Sequence, residues 1–260
     1  MRDLTDGKSL TDQRGLTDQR GPAHHCTAIL LAAGQGLRMG GDTRKQYLDL
    51  EGRPLFTYAL EAMDRSEIIT DILITVPAGD ESFCEKIVRD CGLGNKVRGI
   101  VAGGSERCFS VLNGLQAIGW PCDYVFIHDA ARPFIDEAVI RRLYDEVRVH
   151  KAVIAGMPSK DTVKIADSDG FVRNTPNRKD VWIVQTPQVF EFTLIRDAYE
   201  KMAASYDDLC AKGVIITDDA MVVEFLTGTR VKLVEASYSN IKVTTPEDMV
   251  TVLSYLKGKQ

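Results

Sequence analysis

From Cys26 onward, short apolar runs alternate with longer stretches in which apolar residues recur at helical spacing. The runs "CTAILLAA", "DILITVP", "VRGIVAGG", "DYVFIHDA" and "AVIAGMP" read as strands. Helices are predicted between or after them, near 54–64, 81–91, 105–118 and 136–149. Repeated strand-helix units imply right-handed crossovers, and therefore an α/β fold: a Rossmann-like, mostly parallel sheet covered by helices on both faces. Ligands of such sheets bind at the carboxyl ends of the strands. That rule puts Gly34, Gly103, Gly104 and Asp129 on one rim.

The alternation breaks in "TVKIADSDGFVRNTPNRKDVWIVQTP", which reads as strand, D-S-D-G turn, strand. A β-arm is expected at about 160–187, inserted into the α/β domain. A two-stranded hairpin is marginal alone, so it should pack on something, and a second subunit is the preferred candidate. At the other end, residues 10–15 and 16–21 repeat "LTDQRG" in tandem. This polar, charge-balanced segment lacks core-forming residues, so 1–25 is expected to be a disordered, low-complexity tail before a single domain at 26–260.

With 260 residues and 44% hydrophobic content, the chain can bury one sizeable core. A net charge of −5 argues against a general nucleic-acid binder. No apolar run approaches the ~20 residues of a membrane helix, and the N-terminus lacks the order of a signal peptide, so the protein is expected in the cytoplasm, away from membranes. The six cysteines show no zinc spacing and read as reduced thiols.

The stretch "AILLAAGQGLRMGGDTRKQY" holds the chemistry. Gly34, Gly36 and Gly40 follow a strand, where backbone N–H groups can approach a phosphate closely. Their spacing misses the dinucleotide fingerprint by one residue, which argues against a nicotinamide oxidoreductase, and no Walker lysine follows. Arg38, Arg44 and Lys45 then bring three cations within reach of the loop.

This segment resembles the opening motif of nucleotidyltransferases that transfer a nucleotide monophosphate onto a phosphorylated sugar or polyol. Lys45-Gln46-Tyr47 matches the family's element, with Arg44 standing where proline is usual. "GGSERCFSVLNGL", "HDAARPF", "KDTVK", "TPNR", "QTPQVF", "TDDA" and "SNIKVTTPED" follow in order. Together they narrow the resemblance to the 2-C-methyl-D-erythritol 4-phosphate cytidylyltransferases of the non-mevalonate isoprenoid pathway. Ribitol-5-phosphate cytidylyltransferase is the nearest alternative, because "YSNIKVTT" is similar to its ending, whereas "HDAARP" and Ala32-Ala33-Gly34 are not its usual forms. A more distant alternative is a nucleotide-binding regulator without catalysis, against which the four cations named next speak together.

The resemblance implies a magnesium-dependent transfer of CMP from CTP, with these roles. Arg38 and Lys45 stabilise the triphosphate; Arg178 and Lys242 position the substrate phosphate, Arg178 from the partner's arm in a homodimer. Ala32, Ala33, Gly34, Gly36, Gly104, Ser105 and Ser110 surround CTP. Asp129, Arg132, Thr162, Thr186 and Thr217 face the polyol, and Asp129 is also a candidate to reach the metal through water. The residue types suit the reaction on their own terms. A phosphate monoester, with a second pKa of about 6, is already an ionised nucleophile near pH 7. It needs fixed cations rather than a general base.

Overall fold

The computed structural model describes residues 24–34 and 44–257. Gly36, Arg38 and Gly40, and the tail up to residue 23, lie outside the described residues. His24 and His25, assigned to the tail from sequence, already make tertiary contacts. His24 Nδ1 is 2.7 Å from the Tyr144 hydroxyl, and the His25 amide donates to Asp123.

The elements run β1 (Cys26–Leu31), β2 (Asp49–Leu50), β3 (Arg53–Pro54), α1 (Phe56–Arg65), β4 (Asp71–Val76), α2 (Glu81–Asp90), β5 (Val97–Ala102), α3 (Arg107–Ala117), β6 (Tyr124–Asp129) and α4 (Glu137–His150). They continue with β7 (Ala152–Pro158), β8 (Ile165–Ala166), β9 (Val172–Asn174), β10 (Trp182–Glu191), α5 (Phe192–Ala211), α6 (Asp219–Thr227), β11 (Lys232–Glu235) and α7 (Pro246–Lys257). Seven strands form one sheet in the order β11-β7-β10-β6-β1-β4-β5. All neighbours are parallel except β10, which is antiparallel to both β6 and β7.

Strand periodicity sorts the core. In β1, Ala28 and Leu30 face the layer of α1, α2 and α4, whereas Ile29 faces the layer of α3, α5 and α6. Because both faces are covered, β1 and β4 are apolar almost throughout, the pattern of doubly buried parallel strands. Helix α4 shows how local sequence sets an element. Val139, Ile140, Leu143 and Val147 make one buried stripe, and each such side chain contributes roughly 1.5–3 kcal/mol of burial. The Asp136 carboxylate caps the first turn by accepting from the Val139 amide at 2.8 Å, and Lys151 ends the helix at φ 63°. A smaller cluster of Leu50, Leu55, Phe134, Val243 and Val252 docks α7 beside the rim.

All five strands expected from sequence lie in this sheet. The arm differs from its expected extent: β8 and β9 pair as a short antiparallel hairpin, but Trp182–Glu191 is a strand of the central sheet. Its polar residues Gln185, Thr186 and Gln188 disguise a buried strand. They are tolerated inside because each is hydrogen-bonded to the rim.

Two glycines bring the chain close at the carboxyl edge. A Cβ on Gly103 would lie 2.3 Å from Ala33 Cβ, and one on Gly104 would lie 2.2 Å from Phe109 Cβ and 2.8 Å from its backbone carbon. Gly104→Ala is expected to cost about 1–3 kcal/mol in chemical unfolding, since the obstructing atoms belong to the base of α3 and cannot swing away. An unchanged unfolding midpoint would show that this approach is not tight.

Candidate active site

A cavity of about 340 Å³ opens at the carboxyl edge, where the chain leaves β1, β5 and β6. Its walls include Ala32, Ala33 and Gly34 after β1, Gly104 and Ser105 after β5, and Asp129 at the end of β6. Lys45, Gln46, Glu106, Arg107, Ser110 and Lys242 complete the polar lining. From β1 the sheet grows through β4 and β5 on one side and then through β6 on the other, so the cavity occupies the switch point expected of such sheets.

Asp129 is the electrostatic centre. Lys242 Nζ lies 2.7 Å from one carboxylate oxygen and Arg107 Nε lies 3.3 Å from the other. Burial by itself would raise the Asp129 pKa, but the charges of Arg107 and Lys242 outweigh it and hold the carboxyl well below the usual range. Arg107 in turn forks onto Asp219, with Nη1 and Nη2 at 2.9 and 2.8 Å from its two oxygens. Asp219 is fully buried and also accepts from the Tyr199 hydroxyl at 2.5 Å. Burial works against the Arg107 charge, yet Asp219 and Asp129 overcome it and push its pKa up.

The chain around Lys242 is pinned on both sides. Asn240 is fully buried and donates to the Gln185 side chain and the Thr186 carbonyl; its own carbonyl accepts from Arg132 at 2.8 Å. The Val243 amide donates to the Ala131 carbonyl, and Lys45 Nζ donates to the Val243 carbonyl at 3.3 Å. Lys45 and Lys242 are thus brought to one wall. Lys45 itself starts a single 3-10 turn, Lys45–Tyr47. Arg44, in the place of a proline, adopts φ −64°, the value a proline ring imposes, and its guanidinium pairs with Asp80. The substitution therefore keeps the backbone path and adds a tether to α2.

Other expected residues hold the scaffold. The Ser110 hydroxyl accepts from the Gly104 amide and donates to the Glu106 carbonyl, and Thr186 Oγ1 accepts from the Asp129 amide. Asp218 caps α6 by accepting from the Met221 amide. Thr162 and Thr217 are exposed and do not line the cavity, and Arg178 is exposed near the arm, donating to the Lys160 carbonyl. Among the described residues, no group of three or more acidic, histidine or cysteine side chains is arranged to hold a metal. The amide of Gln46, buried beside Lys45, has neither its donor nor its acceptor matched within the protein.

The pair Arg107 and Asp219 was missed as part of the site. One signal was available: a cation at the first residue of α3 opposes the helix dipole, so something else must hold it. Asp219 offered less, because an acid in the first turn of a helix is already explained by that dipole.

Comparisons with known proteins identify the family and the fold. The family model described as 2-C-methyl-D-erythritol 4-phosphate cytidylyltransferase matches residues 26–258. A protein of that name from Lachnoclostridium phytofermentans is 46% identical, covering 90% of this chain and 97% of the relative. One from Desulforamulus reducens is 43% identical over 89% of this chain and 96% of its own. Among solved structures, the 4-diphosphocytidyl-2C-methyl-D-erythritol synthase of Anaerococcus prevotii superposes with a TM-score of 0.78 at 36% identity, covering 90% of this chain and 96% of that one.

His128, fully buried at the end of β6, supplies a test of the rim's electrostatics. Its Nδ1 meets Thr186 Oγ1 and its Nε2 meets the Arg132 carbonyl at 3.1 Å. A carbonyl only accepts, so Nε2 carries the proton and Nδ1 takes the one the threonine donates. Burial lowers its pKa from 6.5 to about 4. The unfolded chain therefore binds this proton more readily, and stability should fall as pH drops from 6.5 to 4, by roughly 3 kcal/mol in total from this group. His128→Gln should flatten that part of the curve in chemical unfolding at stepped pH. Parallel curves for the two proteins would contradict the buried neutral imidazole.

Proposed function

The chain belongs to the 2-C-methyl-D-erythritol 4-phosphate cytidylyltransferase family, whose members transfer CMP from CTP to that polyol phosphate in isoprenoid precursor synthesis, and we propose that the cavity around Asp129 is where it does so. The products are 4-diphosphocytidyl-2-C-methyl-D-erythritol and pyrophosphate. The observation that carries the assignment of the site is the convergence of Lys45, Lys242 and Arg107 on a glycine-walled cavity at the sheet's switch point.

The residues suit the reaction in stages. Backbone around Ala32, Ala33, Gly34 and Gly104, with Ser105 on the wall, takes the nucleotide. Gly36 and Arg38 are assigned to the triphosphate from their place in the motif, together with Lys45 on the cavity wall. The substrate phosphate, already ionised near pH 7, is steered by Lys242 to attack the α-phosphorus in line, and the fixed cations offset repulsion between the two anions. Asp129 and Arg132 order the polyol side, the first by its charge and the second through Asn240. Thr186 acts through the Asp129 amide, and Thr162 and Thr217 are assigned to the polyol side from their motifs alone.

Magnesium fits the donor set. Two carboxylates, Asp129 and Glu106, line the cavity, and Asp129 is held ionised. Magnesium ordinarily takes one or two carboxylates and leaves its other positions to phosphate oxygens and water. Asp129 and Glu106 would hold the ion, which when bound would supply neutralisation of the triphosphate charge.

We further propose a homodimer. The arm and the adjoining start of β10 expose Ile165, Phe171, Val172, Ile183 and Val184, an amount of apolar surface that favours a partner. Arg178 sits beside this arm and would complete the partner's cavity. We place the enzyme in the cytoplasm, acting without nucleic acid or membrane, and give residues 1–23 no part in the reaction. No helix among the described residues is long and apolar enough to cross a membrane.

Pyrophosphate release with CTP, magnesium and methylerythritol 4-phosphate tests the assignment. Lys45→Ala should lower kcat by roughly 10²–10³-fold while the protein stays folded, the scale for losing one transition-state donor. Arg178→Ala and Lys242→Ala subunits, each nearly inactive alone, should recover about a quarter of wild-type activity after mixing and reassociation, because half the dimers then carry one intact site. No recovery with proven subunit exchange would contradict the shared site.

A further inference from the structure

Asp219, Arg107, Asp129 and Lys242 form a line of alternating charges that ends in the cavity. The inner end is rigid. Asp219 is fully buried, its carboxylate accepts from Tyr199 and from both arms of the Arg107 fork, and its backbone amide donates to Gln188 Oε1 at 3.0 Å. The Ala220 amide donates to the same oxygen at 2.9 Å. The outer end is looser: Lys242 is a single flexible ammonium, about one-third exposed. Asp129 therefore has a short contact to the group that can move and a longer one, at 3.3 Å, to the group that cannot.

We infer that Arg107 is a positioning residue, the standing counter-ion that keeps Asp129 compensated when Lys242 turns from Asp129 to the phosphate of the incoming polyol phosphate. The inference rests on the cytidylyltransferase assignment of the cavity and adds a role for two residues behind it. An ammonium that is the only partner of a buried carboxylate is costly to withdraw, since the carboxylate would be left desolvated and unpaired. With the Arg107 fork locked on Asp219, its Nε–H stays aimed at Asp129 and that cost is reduced. Asp219 does not line the cavity, so it acts through Arg107. Placing a cation at the first residue of α3, against the helix dipole, is consistent with a position held by these two acids.

The two substrates should feel the loss of Arg107 unequally. In Arg107→Met, Lys242 is retained by Asp129, and KM for methylerythritol 4-phosphate should rise roughly tenfold or more relative to KM for CTP. Arg107→Lys returns a charge near Asp129 without the fork and should recover part of that ratio. Asp219→Asn keeps the Arg107 charge but removes the fork that aims it at Asp129, so the ratio should rise, by less than in Arg107→Met. A purely structural pair predicts instead that all three variants lose melting temperature and kcat with no change in the ratio. That result would overturn the inference, as would equal rises in both KM values or an unchanged ratio in Asp219→Asn. If Arg107→Met does not fold, the Arg107→Lys and Asp219→Asn ratios, both expected to rise, decide the matter. The wild-type enzyme is measured alongside: absence of pyrophosphate release there would remove the cytidylyltransferase assignment itself, whereas an active wild type with unshifted ratios removes only the role of Arg107.

Discussion

The site depends on keeping one carboxylate charged where the fold has withdrawn most of its water. Asp129 ends a central strand, beneath a cavity, with its side chain about one-tenth exposed. Isolation in such a place would neutralise it; the two cations beside it do the opposite. Most of the rim serves that arrangement. Tyr199 and Gln188 fix Asp219, Asp219 fixes Arg107, and Asn240 with Val243 fixes the chain that delivers Lys242. A pocket for two anionic substrates thus combines cations held in place with an anion that prevents those cations from repelling one another.

The same constraint explains the antiparallel strand at the centre of a parallel sheet. β10 enters between β6 and β7 and carries Gln185, Thr186 and Gln188 to the level of Asp129. Each is a buried polar residue that would destabilise an ordinary strand. Here they satisfy backbone groups of the rim and are satisfied by them, so the polar network that orders the site is built from sheet residues rather than mobile loops. Gly103 and Gly104 act from the other side, letting the β5–α3 connection close against Ala33 and Phe109.

The sheet was legible because strands buried on both faces announce themselves as continuous apolar runs, as in "CTAILLAA" and "DILITVP". The end of the arm was misplaced for the complementary reason: "WIVQTPQVFE" mixes polar residues into a buried strand, and period alone cannot reveal that their hydrogen bonds are met elsewhere. In the site, Ala32, Ala33, Gly34, Gly104, Ser105, Lys45, Asp129 and Lys242 could be named from motif resemblance and do line one cavity. Arg107 and Asp219 could not, since their importance lies in a bidentate pair spanning 112 positions of sequence. Arg132 and Thr186 brace groups that face the cavity, and Ser110 lines the cavity while holding the Gly104 amide.

The most direct measurement is a crystal structure of the enzyme with a nonhydrolysable CTP analogue, magnesium and methylerythritol 4-phosphate. The account predicts the nucleotide between the Gly34 and Gly104 backbones, Lys242 hydrogen-bonded to the polyol's phosphate, and Arg107 still joined to both Asp129 and Asp219. A nucleotide bound outside this cavity, or a Lys242 that stays on Asp129 while both substrates are in place, would contradict it.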